Sequence, residues 1–153
     1  MGSWGVKALE SDAGLDVIDI LTNEYVLEHP VLDLGEIIEL MKEEVMLGAD
    51  FSQIDFLFDN TAMALAELYF QWKDVGKLDY GTEESVWNKV TDFMTSKEAL
   101  DLLLRQLTDI KNEVPDEDGE REIAELWKNS NSWEKWNNHL DMLIQRLEQE
   151  QEK

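Results

Sequence analysis

The chain has 153 residues, 43% of them hydrophobic, with no cysteine and a formal net charge of −22. That length suits one domain with one core, and the missing cysteines exclude disulfides, thiolate zinc sites and cysteine nucleophiles. Such a charge repels phosphate backbones and anionic lipids, so neither nucleic acid nor a membrane is an expected partner.

Met1 to Asp12 shows no apolar stretch of signal-peptide length, and no apolar run approaches the ~20 residues of a membrane helix. A cytoplasmic location is therefore expected. Trp4 stands between Gly2-Ser3 and Gly5 ahead of any helical pattern. A large aromatic in that setting reads as an anchor that docks the N-terminus into the core.

The first helix is predicted from Asp12, as N-cap, to about Tyr25. Leu15, Val17, Ile18, Leu21 and Tyr25 share one arc, and Asp12, Asp16 and Asp19 oppose it. His29-Pro30 breaks the pattern, since proline lacks an N–H and restricts its predecessor. Asp33 caps a second predicted helix that ends at Gly48. Its stripe is Leu34, Ile37, Ile38, Met41 and Val45, with Glu36, Glu39 and Glu43 facing away. Leu40 and Leu47 fall near the acidic side, where they read as a second packing surface or as apolar contacts for a partner.

Ser52 to Asp55 resembles a capping box and precedes the longest stripe, Ile54 to Trp72, expected to be the central buried helix and to stop before Gly76. Phe56-Leu57-Phe58 leaves a short strand as the alternative start. Thr82 is predicted to open a fourth helix with Val86, Val90 and Phe93 in register. Thr95 and Glu98 then cap a helix carrying Leu100, Leu103, Leu104, Leu107 and Ile110. After the polar loop Asp116-Glu117-Asp118-Gly119 comes a short helix with Ile123, Leu126 and Trp127. The last helix follows Asn131-Ser132, with a seam of Trp133, Trp136, Leu140, Leu143 and Leu147. No segment alternates with period two. The predicted fold is all-α, an irregular bundle of about six or seven helices forming one domain over residues 1–153, with 148–153 a frayed tail.

Chemistry-bearing motifs are scarce. His139 and Asp141 lie two apart on a helix and so diverge by about 200°, which reads as surface or packing chemistry rather than a catalytic pair. His29 reads as a loop residue. The acidic loop lacks the ligand spacing of a calcium-binding hand, because its glycine follows too soon after the second Asp. Glu122 and Glu125 share a helical face, but the Glu-x-x-His pairs of di-metal bundles are missing. Trp133 and Trp136 read as core rather than as a ligand box. No catalytic residue, metal or cofactor is expected.

Met1-Gly2-Ser3-Trp4-Gly5, then Ser11-Asp12-Ala13 and Asp16, resembles the opening of an uncharacterised bacterial domain family whose members begin Met-Gly-Ala-Trp-Gly. Glu125-Leu126-Trp127, Trp136, Leu140, Leu143, Arg146 and Leu147 are similar to its C-terminal part. The chain departs from that pattern at Lys7, where glycine is usual, and at Ser11, where asparagine is usual. The resemblance implies a bacterial helical domain and transfers no catalytic residue.

The charge is also unevenly spread. From Leu9 to Trp72 there are fifteen Asp and Glu against one base, Lys42. The leading functional expectation is a small acidic interaction protein that binds a basic protein, as an inhibitor or immunity-type protein, through Asp12, Asp16, Asp19, Glu36, Glu39 and Glu43 with Leu40 and Leu47. The alternative is a small metal-assisted hydrolase using helix-borne carboxylates.

Overall fold

Ser11 starts the first helix. In the computed structural model, which describes residues 5–78, 80 and 85–153, its extended backbone lets the side-chain oxygen accept from the Gly14 N–H at 3.2 Å. Asp12 is consequently the first helical residue of α1 (Asp12–Glu24) rather than its cap, and places its charge at the positive end of the helix dipole. A short 3₁₀ turn, Ala8–Glu10, crosses the start of α1. A Cβ on Gly14 would lie 2.2 Å from the Ala8 carbonyl oxygen, so only glycine permits that crossing.

Val17, Ile18, Leu21 and Tyr25 are buried as the spacing predicts, whereas Leu15 is 47% exposed. After a 3₁₀ turn over Val26–Glu28 the chain forms β1 (Val31–Asp33), and α2 (Leu34–Glu43) follows with Asp33 as its cap. The expected run of α2 to Gly48 does not occur. Val45 turns the chain at a φ of 57°, and the Met46 and Leu47 N–H groups both reach the Met41 carbonyl. That turn leaves Val45 exposed and buries Met46 and Leu47. The stripe therefore ends at Met41, because a left-handed residue rotates every later side chain out of helical register.

Asp55, not Ser52, caps α3 (Phe56–Val75), and the Phe56–Phe58 run is helical. Every residue from Asp59 to Phe70 is buried, the expected state of a helix that neighbours surround on all sides. Gly76 closes α3 in the left-handed conformation, where its N–H reaches the Trp72 carbonyl.

The predicted fourth helix is replaced. Thr82 lies outside the described residues, as does Trp4, and the stretch beyond forms a 3₁₀ turn (Val86–Lys89) and a strand, β2 (Asp92–Met94). β2 pairs in parallel with β1, in the register Val31↔Asp92, Leu32↔Phe93 and Asp33↔Met94. Leu32 and Phe93 point into the core, and the Phe93 ring meets Tyr69 edge-on. Trp87, 2% exposed, donates its indole N–H to the Thr22 hydroxyl at 2.7 Å. The helical spacing of Val86, Val90 and Phe93 thus reflects three anchors on an irregular path, held by contacts to distant residues.

Ser96 caps α4 (Lys97–Lys111), α5 spans Glu122–Lys128 and α6 runs from Trp133 to Gln151. α4 packs most extensively on α6, whose seam Trp136, Leu140, Leu143 and Leu147 is buried as expected. Helix continues through most of the tail expected to fray, and Glu150 there pairs with Lys73 and Lys153. The fold is mostly helical, with six α-helices and one small parallel pair among the described residues.

Beneath α4 and α5, Asp59 of α3 takes two hydrogen bonds from Arg121, at 2.9 and 2.7 Å, and a third from Gln106 at 3.2 Å. Both charged side chains are nearly inaccessible, at 1% and 3%. Burial pushes the Asp59 carboxyl above its ordinary value, against the opposing pull of Arg121 and Gln106. Removing one partner of such a pair strands the other, so Arg121→Met should lower unfolding stability by about 3–5 kcal/mol. Combining it with Asp59→Leu should recover most of that loss in the same denaturant titration. Val45→Gly should raise stability by up to about 1 kcal/mol, because glycine accepts the left-handed turn without a Cβ clash.

Candidate functional site

Two regions gather polar chemistry. The first is the pair of acidic helices. Asp12, Asp16 and Asp19 are exposed on α1, and Glu36, Glu39 and Glu43 are exposed on α2. Glu39 lies 3.5 Å from Lys42, and Glu36 accepts the Tyr25 hydroxyl hydrogen bond at 2.8 Å. The others have no basic partner among the described residues. Asp12, Leu15, Asp16 and Asp19 recur at helical spacing, so the exposed leucine sits among three carboxylates.

Tertiary contacts draw the two helices together. Tyr25, at the end of α1, hydrogen-bonds Glu36 in the first turn of α2 and accepts from the Asp33 N–H. Burial and the Glu36 contact push the Tyr25 hydroxyl well above its ordinary value. At the other end of α2, Glu24 meets Glu44. A hydrogen bond to Glu44, then reduced hydration and the charge of Glu44, raise the Glu24 carboxyl above its ordinary value. Leu40 is half-buried against the core and Leu47 is 3% exposed. Leu47 therefore packs inward and is not part of the acidic surface in this conformation, whereas Leu15 is.

The second region was not legible as a site. Glu67, deep in α3, accepts from the Ala8 and Leu9 N–H groups at 2.7 and 2.8 Å and contacts His139 Nε2 at 2.7 Å. With both oxygens of Glu67 already accepting, the geometry assigns the proton of that last bond to Nε2. The side chains of His139 and Glu67 are 9% and 5% exposed. Asp141, the sequence neighbour of His139, instead pairs with Lys111 at 2.9 Å. The one available signal was a glutamate inside an otherwise apolar stripe, a position that is rarely filled without a partner.

Beside this pair lies a cavity of about 420 Å³, lined in part by Lys7, Gln71, Asp74, Val75, Met142 and Arg146. Arg146 binds Asp74 through two nitrogens at 2.7 and 2.6 Å and lies over the Phe70 ring. That contact holds the Asp74 carboxyl below its ordinary value. Tyr80 donates to Gln71 at 2.7 Å, and burial, aided by the charge of Glu67, pushes its hydroxyl up to about 12.

The remaining candidates are ordinary. His29 stacks on Tyr25 and its Nδ1 contacts the Tyr25 carbonyl. Asp116 accepts from the Asp118 and Glu120 N–H groups and so closes a turn. Glu122 and Glu125 are exposed. Trp133 and Trp136 pack with Trp127 against the core. Among the described residues no three His, Asp or Glu side chains converge as a metal ion would require, and no helix is long and apolar enough to cross a membrane.

Glu24 holds its proton more tightly folded than unfolded, so the folded state loses stability as pH rises from 4.5 through the raised value. Glu24→Gln should therefore raise the thermal midpoint at neutral pH, with the gain vanishing below about pH 4, where both states are protonated.

Residues 2–139 match the family described as "Domain of unknown function (DUF4259)". The chain belongs to that family. No curated protein and no solved structure matches the chain.

Proposed function

We propose that this member of a family of unknown function is a small, cytoplasmic, bacterial interaction protein whose α1–α2 carboxylates bind a basic protein partner. An inhibitor or immunity-type role fits that chemistry, because carboxylates laid over a cationic active site would block it. The same negative field disfavours nucleic acid and anionic lipid as partners.

The observation that supports this reading most is the uneven pairing of charge. In the second half of the chain, Arg105, Lys111, Arg121, Lys128 and Arg146 each pair with a carboxylate. On α1 and α2 the corresponding ion pair is Lys42 with Glu39, while Glu24 and Glu44 crowd together. A surface of that kind attracts cations over a distance, and Leu15 and the accessible part of Leu40 supply apolar contact at short range. The hydrolase alternative finds no such support, since its carboxylates do not gather around a common point among the described residues.

The test is a fourfold charge reversal, Asp16→Lys, Asp19→Lys, Glu39→Lys and Glu43→Lys, which spares the Glu36–Tyr25 hydrogen bond. A partner captured from lysate at low ionic strength should be released from the parent protein as salt shortens the screening length towards ~8 Å. The reversed protein should bind that partner at least about tenfold more weakly and with a flatter salt dependence. Equal affinity and equal salt dependence in both proteins would show that these acids serve solubility alone.

A further inference from the structure

We infer that the cavity beside Glu67 and His139 binds a small monocarboxylic acid with an apolar body, its carboxylate held by Lys7. This site shares no residue with the acidic helices and stands independently of their role.

The volume, about 420 Å³, falls in the range of small-molecule pockets. Val75 and Met142 line it while 67% and 39% exposed, so the cavity holds apolar surface that the fold leaves in water. An apolar ligand body covers that surface.

The pattern of partners in the wall supplies the head group. Glu67 is occupied by two backbone N–H groups and His139, and Asp74 by both terminal nitrogens of Arg146. The two carboxylates of the wall are thereby occupied within the protein, Glu67 by hydrogen bonds and Asp74 by an ion pair. Lys7 also lines the cavity, and its ammonium has no ion-pair partner among the described residues. Of the charged side chains in the wall, the one without a hydrogen-bond or ion-pair partner among the described residues is therefore a cation, in a chain whose net charge is −22. One ammonium suits one negative charge, and the field of the whole chain penalises a dianion such as a phosphate monoester more than a carboxylate. Gln71, with its oxygen accepting from Tyr80, retains its amide N–H donors for the same head group.

The probe is 3-(4-hydroxyphenyl)propanoate, with its neutral amide as control, followed through the ¹⁵N-labelled imidazole resonances of the intact protein. The chain has two histidines, so His29 serves as an internal reference. The acid should move the His139 resonances saturably and leave those of His29 in place. Lys7→Met should weaken the acid about fivefold and leave the amide unaffected, the scale of one exposed ion pair. Unmoved His139 resonances, equal movement of both histidines, or an acid affinity unchanged by Lys7→Met would each overturn the assignment.

Discussion

α3 is a helix with no solvent face over most of its length, and it carries two carboxylates into that interior. Asp59 and Glu67 are 1% and 7% exposed, yet neither is bare. A charge taken out of water is tolerated only where neighbours replace the lost hydration. Asp59 finds that replacement in Arg121 and Gln106, and Glu67 in the backbone of the 3₁₀ turn at Ala8 and in His139. The two glutamate and aspartate positions therefore dictate where α4, the start of α5, the N-terminal turn and α6 must lie around the central helix. Apolar packing alone tolerates sliding and repacking, whereas a buried carboxylate with specific donors does not.

That requirement also shapes the surface. Cations are few in this chain, and the second half uses them within the fold, on Asp59, Asp74, Asp109, Glu113 and Asp141. α1 and α2 need no such pairs, because their buried faces are apolar and their N-caps are satisfied by Ser11 and Asp33. Apart from Glu39 beside Lys42, their carboxylates have no basic partner among the described residues, and the Glu24–Glu44 contact shows that the fold accepts like charges in proximity there. Basic residues are thus concentrated on the α3–α6 side, and Lys42 is the one base on α1 and α2. At the cavity the charged side chains other than Lys7 all have partners within the protein among the described residues.

Helical spacing in the sequence located α1, the stripe of α2 as far as Met41, the body and end of α3, α4, α5 and the seam of α6, because a 3.6-residue stripe is a local property of the chain. Gly76 and the polar loop near Gly119 likewise marked their turns, since both occupy left-handed backbone positions that glycine accepts without strain. The acidic character of α1 and α2, and the exposure of Asp12, Asp16, Asp19, Glu36, Glu39 and Glu43, followed from the same periodicity.

What only the tertiary structure decided depends on residues far apart in the chain. The strands are three residues each, too short to show an alternation, and pair across about sixty residues of intervening sequence. Val45 adopts a left-handed turn that no local preference favours, and only the burial of Met46 and Leu47 accounts for it. Glu67 and His139 are 72 residues apart, and His139 looked unpaired beside an Asp141 that faces elsewhere. Periodicity determined which face of each helix turns inward. Which inward polar group meets which donor was set by packing, because a hydrogen bond is specified by three-dimensional proximity and leaves no period in the sequence.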